Sequence, residues 1–362
     1  MRFLFKTDYD QDIRLFKHNG QRFWYGLLAL LLLGLPVLLP EGLRDYMLGQ
    51  MVFVFIYSVA GLALMLLIGF TGQISLGHAA FMAVGAYTEA VLQAKGVPFV
   101  VSLPCAALFA GIAGVIVGLP ALRLKGIYLG IATLSFGYIA EEIATRWDSV
   151  TGGNAGKHLK PVDLFGYPVD DDIKLYYLTL AILVIAMLAI INLMRSPTGR
   201  AFVAIRDSEI SAQSMGIHLA KYKTMSFALS AALTGVAGAL YAHKLTFITP
   251  EQFTLLASIE LATLVFIGGL GSFHGAVFGA VFIISLPQLI TVAKDYLPAA
   301  VGAQTGLQPT IFGLILIGFL LFEPMGIYGR WLKIRAYLEL FPFYRKGMFR
   351  RQKTYMKSDR LK

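Results

Sequence analysis

Apolar residues come in long, nearly unbroken runs along this chain, separated by short polar intervals. A helix rises about 1.5 Å per residue, so roughly 20 apolar residues cross the hydrocarbon core of a bilayer. Runs suited to that task lie at 24–40, 47–69, 76–94, 99–119, 126–142, 175–194, 226–243, 255–271, 273–293 and 308–322. The pattern predicts an all-α, polytopic transmembrane bundle of about ten spans. The eighth and tenth runs are short or interrupted and are open to a re-entrant reading. Pro287, inside the ninth, removes a backbone donor and predicts a kink. The charged tail ending at Arg22 leads into an apolar run with no small-residue cleavage site, so the first run is expected to stay as a span.

Composition agrees. The 362 residues are 57% hydrophobic and 14% charged, with a mean hydropathy of +0.68, against about 25% charged in soluble domains. The net charge of +10 would suit nucleic acid, but the basic residues sit in tails and loops beside the apolar runs. With an even number of spans, the N-tail, the 120–125 turn, the 195–225 loop and the C-tail share one side and hold 23 of the 31 Lys and Arg residues. The positive-inside rule places that side, and both termini, in the cytoplasm. The 143–174 loop, with Asp148, Asp163, Asp170, Asp171 and Asp172, falls outside. The expected organisation is an N-terminal tail (1–23), a membrane domain (24–322) and a basic C-terminal tail (323–362). Its expected partner is the lipid bilayer, not nucleic acid. Cys105 stands alone in an apolar run and has no internal disulfide partner.

Three segments carry candidate chemistry. Thr71–Phe81, TGQISLGHAAF, sets Gln73, Ser75 and His78 between two apolar runs. Polar groups at that depth must face protein or water. They read either as lining of a translocation path or gate, or as a helix start with Ser75 as cap and His78 hydrogen-bonded inside the bundle. Ser196–Ile217, in the basic loop, predicts a short helix that Ser208 caps and Gly216 ends, carrying Glu209, Ala212 and Met215. A helix that short is marginal alone in water, so it is expected to pack on its own bundle or on a partner. Ser258–Ala280 places Glu260 in or near an apolar run, beside a dense glycine turn. Thr133 and Ser135 in the fifth run, with Glu260, complete the candidate path residues. Small residues at four-residue spacing, Gly114/Gly118, Gly126/Gly130 and Gly271/Gly275/Gly279, predict faces of close helix packing, with a flexible gate as the other reading.

Taken together these segments resemble the LivM-like permease subunits of bacterial branched-chain amino acid ABC importers. TGQISLGHAAF, RLKGIYLGIATLSFGYI (Arg123–Ile139), SPTGRAFVAIRDSE and GGLGSFHG occur in that family's order, and the likeness covers roughly Trp24 to Arg335. The TGGNAG of Thr151–Gly156 is similar to a further stretch of the family. The resemblance implies a multi-pass protein of the inner membrane and a coupling helix around Glu209 that docks on a cytoplasmic ATPase. Arg206, Asp207, Glu209, Ala212 and Gly216 are its residues here, while Ser211, Gln213 and Ser214 replace more usual Ala or Glu. It also implies a homologous second permease, two ATPase subunits and a periplasmic substrate-binding protein. The chain carries no G-x-x-x-x-G-K-[ST] phosphate loop, so no cofactor is expected on it and ATP-Mg is expected on the partner subunits.

Two other classes are weighed against this. An ion-coupled transporter uses carboxylates or histidines inside the membrane, here Glu89, Glu141, Glu142 or Glu260. An enzyme would need paired ligands or a nucleophile motif, yet the six histidines never fall at i, i+3 or i, i+4 spacing, and no G-x-S-x-G occurs. Arg330–Lys362, basic with interleaved aromatics, reads as a segment lying on an anionic leaflet or as an ATPase contact.

Overall fold

A computed structural model describes residues 19–122, 124, 126–164, 167–169, 171–294, 306–323 and 325–340. The tail through residue 18, Arg123, Lys125, Asp170 and the tail from 341 lie outside the described residues. Each of the ten apolar runs forms a helix. These are α1 (Asn19–Leu38), α2 (Glu41–Leu64, continued by a π-helical stretch, Met65–Phe70), α3 (His78–Ala94), α4 (Phe99–Ala121), α5 (Ile127–Arg146) and α6 (Asp172–Arg195). After α7 (Pro197–Asp207) and α8 (Glu209–Ser214) come α9 (Leu219–Leu245), α10 (Leu255–Gly268), α11 (Phe273–Lys294) and α12 (Leu307–Phe322), with α13 (Gly326–Leu340) after them. Seven of these segments are long and apolar enough to cross a membrane by themselves. The 14 residues of α10 reach only about 21 Å, and a 3-10 turn, Pro250–Phe253, extends that segment. Pro287 sits inside α11 without ending it.

The core forms where α2 and α9 pass through the centre. α2 is buried along most of its length, and α9 packs on α2, α3 and α4. Helices in lipid gain little from excluding apolar surface from water, so close backbone approach does the work. A Cβ added at Gly85 would overlap the backbone of Gly235, and one at Gly238 would overlap the Met82 carbonyl. Gly114 and Gly118 lie tight against Ala231, Phe227 and Thr224 on α9, while Gly275 and Gly279 lie against Gly268 and Leu264 on α10. Gly130 makes only ordinary contacts. Gly126 and Gly271 differ from the packing expectation. Both have positive φ, +56° and +78°, and serve turns, where a side chain is disfavoured by its own backbone.

Segments expected on one side gather at one end of the bundle. At the basic end, Arg206 reaches the Gly69 carbonyl. There the Tyr25 hydroxyl meets His274 at 2.6 Å, and Tyr328 of α13 stacks on the same imidazole. At the opposite end, β1 (Lys157–His158) pairs antiparallel with β4 (Phe247–Ile248). Gln93 exchanges hydrogen bonds with the Lys160 backbone there. Beside them a hairpin forms from β2 (Val162–Leu164) and β3 (Tyr167–Val169). Lys244 meets Asp172 at 2.7 Å.

Candidate functional site

The 196–218 segment is an elbow of two short helices bolted to the bundle. Ser196 caps α7, whose first residue is Pro197, and Ser208 caps α8 by accepting from the Ser211 N–H at 3.3 Å. Gly216 follows with φ +82°, ending the helix as its position predicts. Inward, Phe202, Ile205 and Ala212 are buried. Glu209 also turns inward: its carboxylate accepts from Lys223 of α9 at 2.6 Å, and the Lys223 side chain is only 4% exposed. Arg206 donates to the Gly69 carbonyl at 3.1 Å and to Asp207 at 3.0 and 3.1 Å. A guanidinium there also suits the electronegative end of the α2 segment. Two large apolar side chains remain outside: Ile210 is 78% exposed and Met215 81%. Arg206 and Glu209 thus tie the elbow to the bundle together with the buried Phe202, Ile205 and Ala212, while Ile210 and Met215 face outward.

The Thr71–Phe81 motif breaks the membrane-spanning path between α2 and α3. Such a break survives only where protein satisfies the freed groups. Gln73 and His78 are buried, and Ser75 wholly so. Ser75 does not cap α3; Gly77 stands at that position. The Ser75 hydroxyl instead lies 2.8 Å from His78 Nδ1, and Ser230 Oγ lies 2.8 Å from Nε2. Ser230 gives its own proton to the Ala63 carbonyl at 2.6 Å, so Nε2 donates and Nδ1 accepts. Gln73 donates to Ser226 at 2.7 Å, the Leu76 N–H to Thr133 at 3.0 Å, and the Ala79 N–H to Ser258 at 3.0 Å. Five elements are tied together through this one non-helical segment. Gln73, Ser75, His78 and Thr133 therefore belong to a single buried polar junction. Ser135 lies apart, on the outer face of α5, bonded to its own helix.

Glu260 is separate from that junction. It is half-buried on α10, and among the described residues neither a basic side chain nor a hydrogen-bond donor compensates its carboxylate. Tyr57 of α2 and Tyr241 of α9 lie within its electrostatic reach. The rings of Tyr57, Phe53 and Phe253 pack around Tyr241 at 6.0–6.4 Å between centroids. Of the other intramembrane carboxylates, Glu89 accepts from Ser102 at 2.7 Å and meets His243 at 3.0 Å, with Glu89 and His243 each 1% exposed. Glu142 pairs with Arg146 on the same helix. Outside the spans, Lys333 and Arg330 hydrogen-bond Glu323 and hold its carboxyl below the usual range, fastening α13 to the end of α12.

Sequence reasoning missed Ser226, Ser230 and Ser258, which complete the junction, together with Lys223, Tyr57 and Tyr241. Ser226, Ser230 and Thr234 do recur at four-residue spacing in an apolar run, which was a usable signal. Lys223 and the two tyrosines meet their partners only through tertiary packing.

A bundle of apolar helices, seven of them long enough to cross a membrane, is held together by a buried polar junction and bears an elbow at its basic end, which is the architecture of a multi-pass membrane protein. The family model described as the permease component of branched-chain amino acid transport systems matches residues 46–322, and the chain belongs to that family. It is 34% identical to the high-affinity branched-chain amino acid permease protein LivM of Escherichia coli over 75% of this chain and 69% of that one. LivM of Salmonella typhimurium is 33% identical over the same shares. The autoinducer 2 import permease LsrC of Salmonella paratyphi B is 27% identical over 82% and 84%. No solved structure matches the chain. The chain is thus a non-enzymatic, multi-pass permease subunit of an ABC importer, resident in the cell inner membrane.

Proposed function

We propose that this permease moves branched-chain or other apolar amino acids inward, with ATP hydrolysed on separate subunits and the force delivered through the α7–α8 elbow. The assembly would comprise this chain, a second homologous permease, two ATPases and a periplasmic substrate-binding protein. One observation carries the coupling role: α8 is anchored on its inner side by Glu209–Lys223 and Ala212, yet presents Ile210 and Met215 to the outside. Large apolar side chains exposed on a charge-anchored helix suit a protein groove. A push on α8 would pass through Lys223 into α9 and through Arg206 into the end of α2. The excess of basic residues on the elbow and tails supports a cytoplasmic elbow.

The test is leucine uptake into proteoliposomes built from purified subunits. Uptake is expected only when ATPases, ATP and loaded binding protein are all present. Uphill uptake by the two permease chains alone, driven by an ion gradient, would refute the proposal.

A further inference from the structure

A groove of about 510 Å³ runs from the last turn of α12 to the first turns of α13. Gly318, Phe319, Phe322 and Ile327 give it apolar walls, and Glu323 and Arg330 are its polar residues. It is open at Gly318, where an added Cβ would meet nothing within 4 Å. Leu314, Gly318, Leu321 and Phe322 share one helical face at the i, i+4, i+7, i+8 spacing. The three large side chains of that face are exposed, Phe322 by 83%. Just past it the chemistry changes. Arg330 and Lys333, each with a side chain 66% exposed, reach the buried Glu323 at 2.6 and 3.0 Å. Two cations against one carboxylate leave a positive charge at the mouth of an apolar groove. Arg330 spends only its Nε on Glu323, so its two η nitrogens can serve a second acceptor. Trp331 and Tyr337, both exposed on α13, are side chains suited to the headgroup level. The groove lies at the basic end of the bundle. There Tyr328 stacks on His274, and Gly326 lies against Gly269.

We infer that the α12–α13 groove binds an anionic phospholipid of the inner leaflet, with an acyl chain over Gly318 against Phe319 and Phe322 and the phosphate on Arg330 and Lys333. A phosphodiester carries the single negative charge that the excess cation needs, and its oxygens accept charge-assisted hydrogen bonds. Basic pockets beside membrane helices on the cytoplasmic side suit such headgroups. A free phosphate ion would meet the charge and leave the apolar walls bare. The acidic surface of a soluble partner could reach the cations but not the part of the groove that runs into hydrocarbon. A lipid satisfies both halves. Seated there, it also braces α13 against the glycine turn at Gly269.

The test is native mass spectrometry of the complete importer in a neutral detergent. Dioleoylphosphatidylglycerol and dioleoylphosphatidylcholine are added at equal concentration. The wild type is expected to hold phosphatidylglycerol roughly tenfold more tightly, the ratio set by one charge-assisted contact. Arg330→Gln with Lys333→Gln keeps amide donors for Glu323 and removes the charge, so one bound phosphatidylglycerol should be lost. Gly318→Phe fills the groove with both cations in place and should lose the same lipid. Excess inorganic phosphate should not displace it. Equal retention of the two lipids by the wild type overturns the site, as does unchanged phosphatidylglycerol binding in both variants. Displacement by inorganic phosphate refutes a lipid as the occupant. Loss of the ATPase subunits from the glutamine variant, with phosphatidylglycerol still bound, refutes it too and marks a protein contact. Should the glutamine variant fail to assemble, Gly318→Phe decides: loss of the lipid supports the site and full retention refutes it.

Discussion

Removing Glu209 should loosen the elbow far more than removing its partner, although both variants break the same ion pair. The Lys223 side chain is 4% exposed and that of Glu209 is 26%. Glu209→Ala therefore strands a buried ammonium, a loss of about 3–5 kcal/mol when one member of a buried pair is deleted. Opening the elbow lets water reach Lys223, so the stranded charge acts directly on that local opening. Lys223→Met leaves a carboxylate that water already reaches, and the expected cost is on the order of 1 kcal/mol, as for a partly exposed pair. The double variant removes both charges and should lie within about 1 kcal/mol of wild type. Hydrogen exchange of peptides covering 205–217, measured in lipid nanodiscs, reads the opening equilibrium. At about 1.4 kcal/mol per tenfold, Glu209→Ala should exchange roughly a hundred times faster or more, and the double variant should largely recover. Equal, small effects of the two single variants that simply add in the double would refute the reasoning.

Three further outcomes follow from the geometry. Gly238→Ala places a methyl against the Met82 carbonyl and should destabilise the α3–α9 crossing by about 1–3 kcal/mol, visible as a lower Tm in detergent; Gly130→Ala, at a site with ordinary contacts, should not. His78→Leu removes the bonds to Ser75 and Ser230 and should cost about 1–3 kcal/mol for each polar group left unpaired; lost uptake at unchanged Tm would instead mark His78 as path lining. The Glu323 carboxyl titrates below its ordinary value of 4.5 because Lys333 and Arg330 hold it charged. The stability it contributes is therefore complete above that value and lost as pH falls through the lowered one. Trp331 fluorescence should accordingly stay constant from neutral pH down to the ordinary carboxylate range and change only below it, whereas a transition above that range would contradict the latch.

The helices of the bundle were legible because long apolar runs leave little freedom once backbone groups must bond within helices. The elbow was legible too: Ser208 and Gly216 mark the ends of α8 by local backbone chemistry, which needs no tertiary information. What the chain kept hidden was direction. A six-residue helix does not reveal which side faces the bundle, so Glu209 reads as a docking residue until Lys223 arrives from the next helix. Ser75 sits where a cap belongs, yet its hydroxyl is taken by His78, and only the packing of α9 supplies Ser230 to the other ring nitrogen. One tight crossing, that of α3 and α9, escaped the four-residue template, since Gly235 and Gly238 are three apart and Gly85 has no companion at that spacing. Glu260 stood out as a carboxylate in an apolar run, but the tyrosines within its electrostatic reach come from other helices.

Site-specific cross-linking at Met215 tests the central claim most directly. Cysteine is introduced there and at Lys157, at the opposite end of the bundle, in a chain whose natural Cys105 is replaced. The account predicts that the cysteine at 215 is labelled from the cytoplasmic side, cross-links to the ATPase subunit and changes its cross-linking yield with ATP, while that at 157 reacts only from the periplasm. Labelling of 215 from the periplasm, or an ATPase that docks with 215 left freely reactive throughout its cycle, would contradict it.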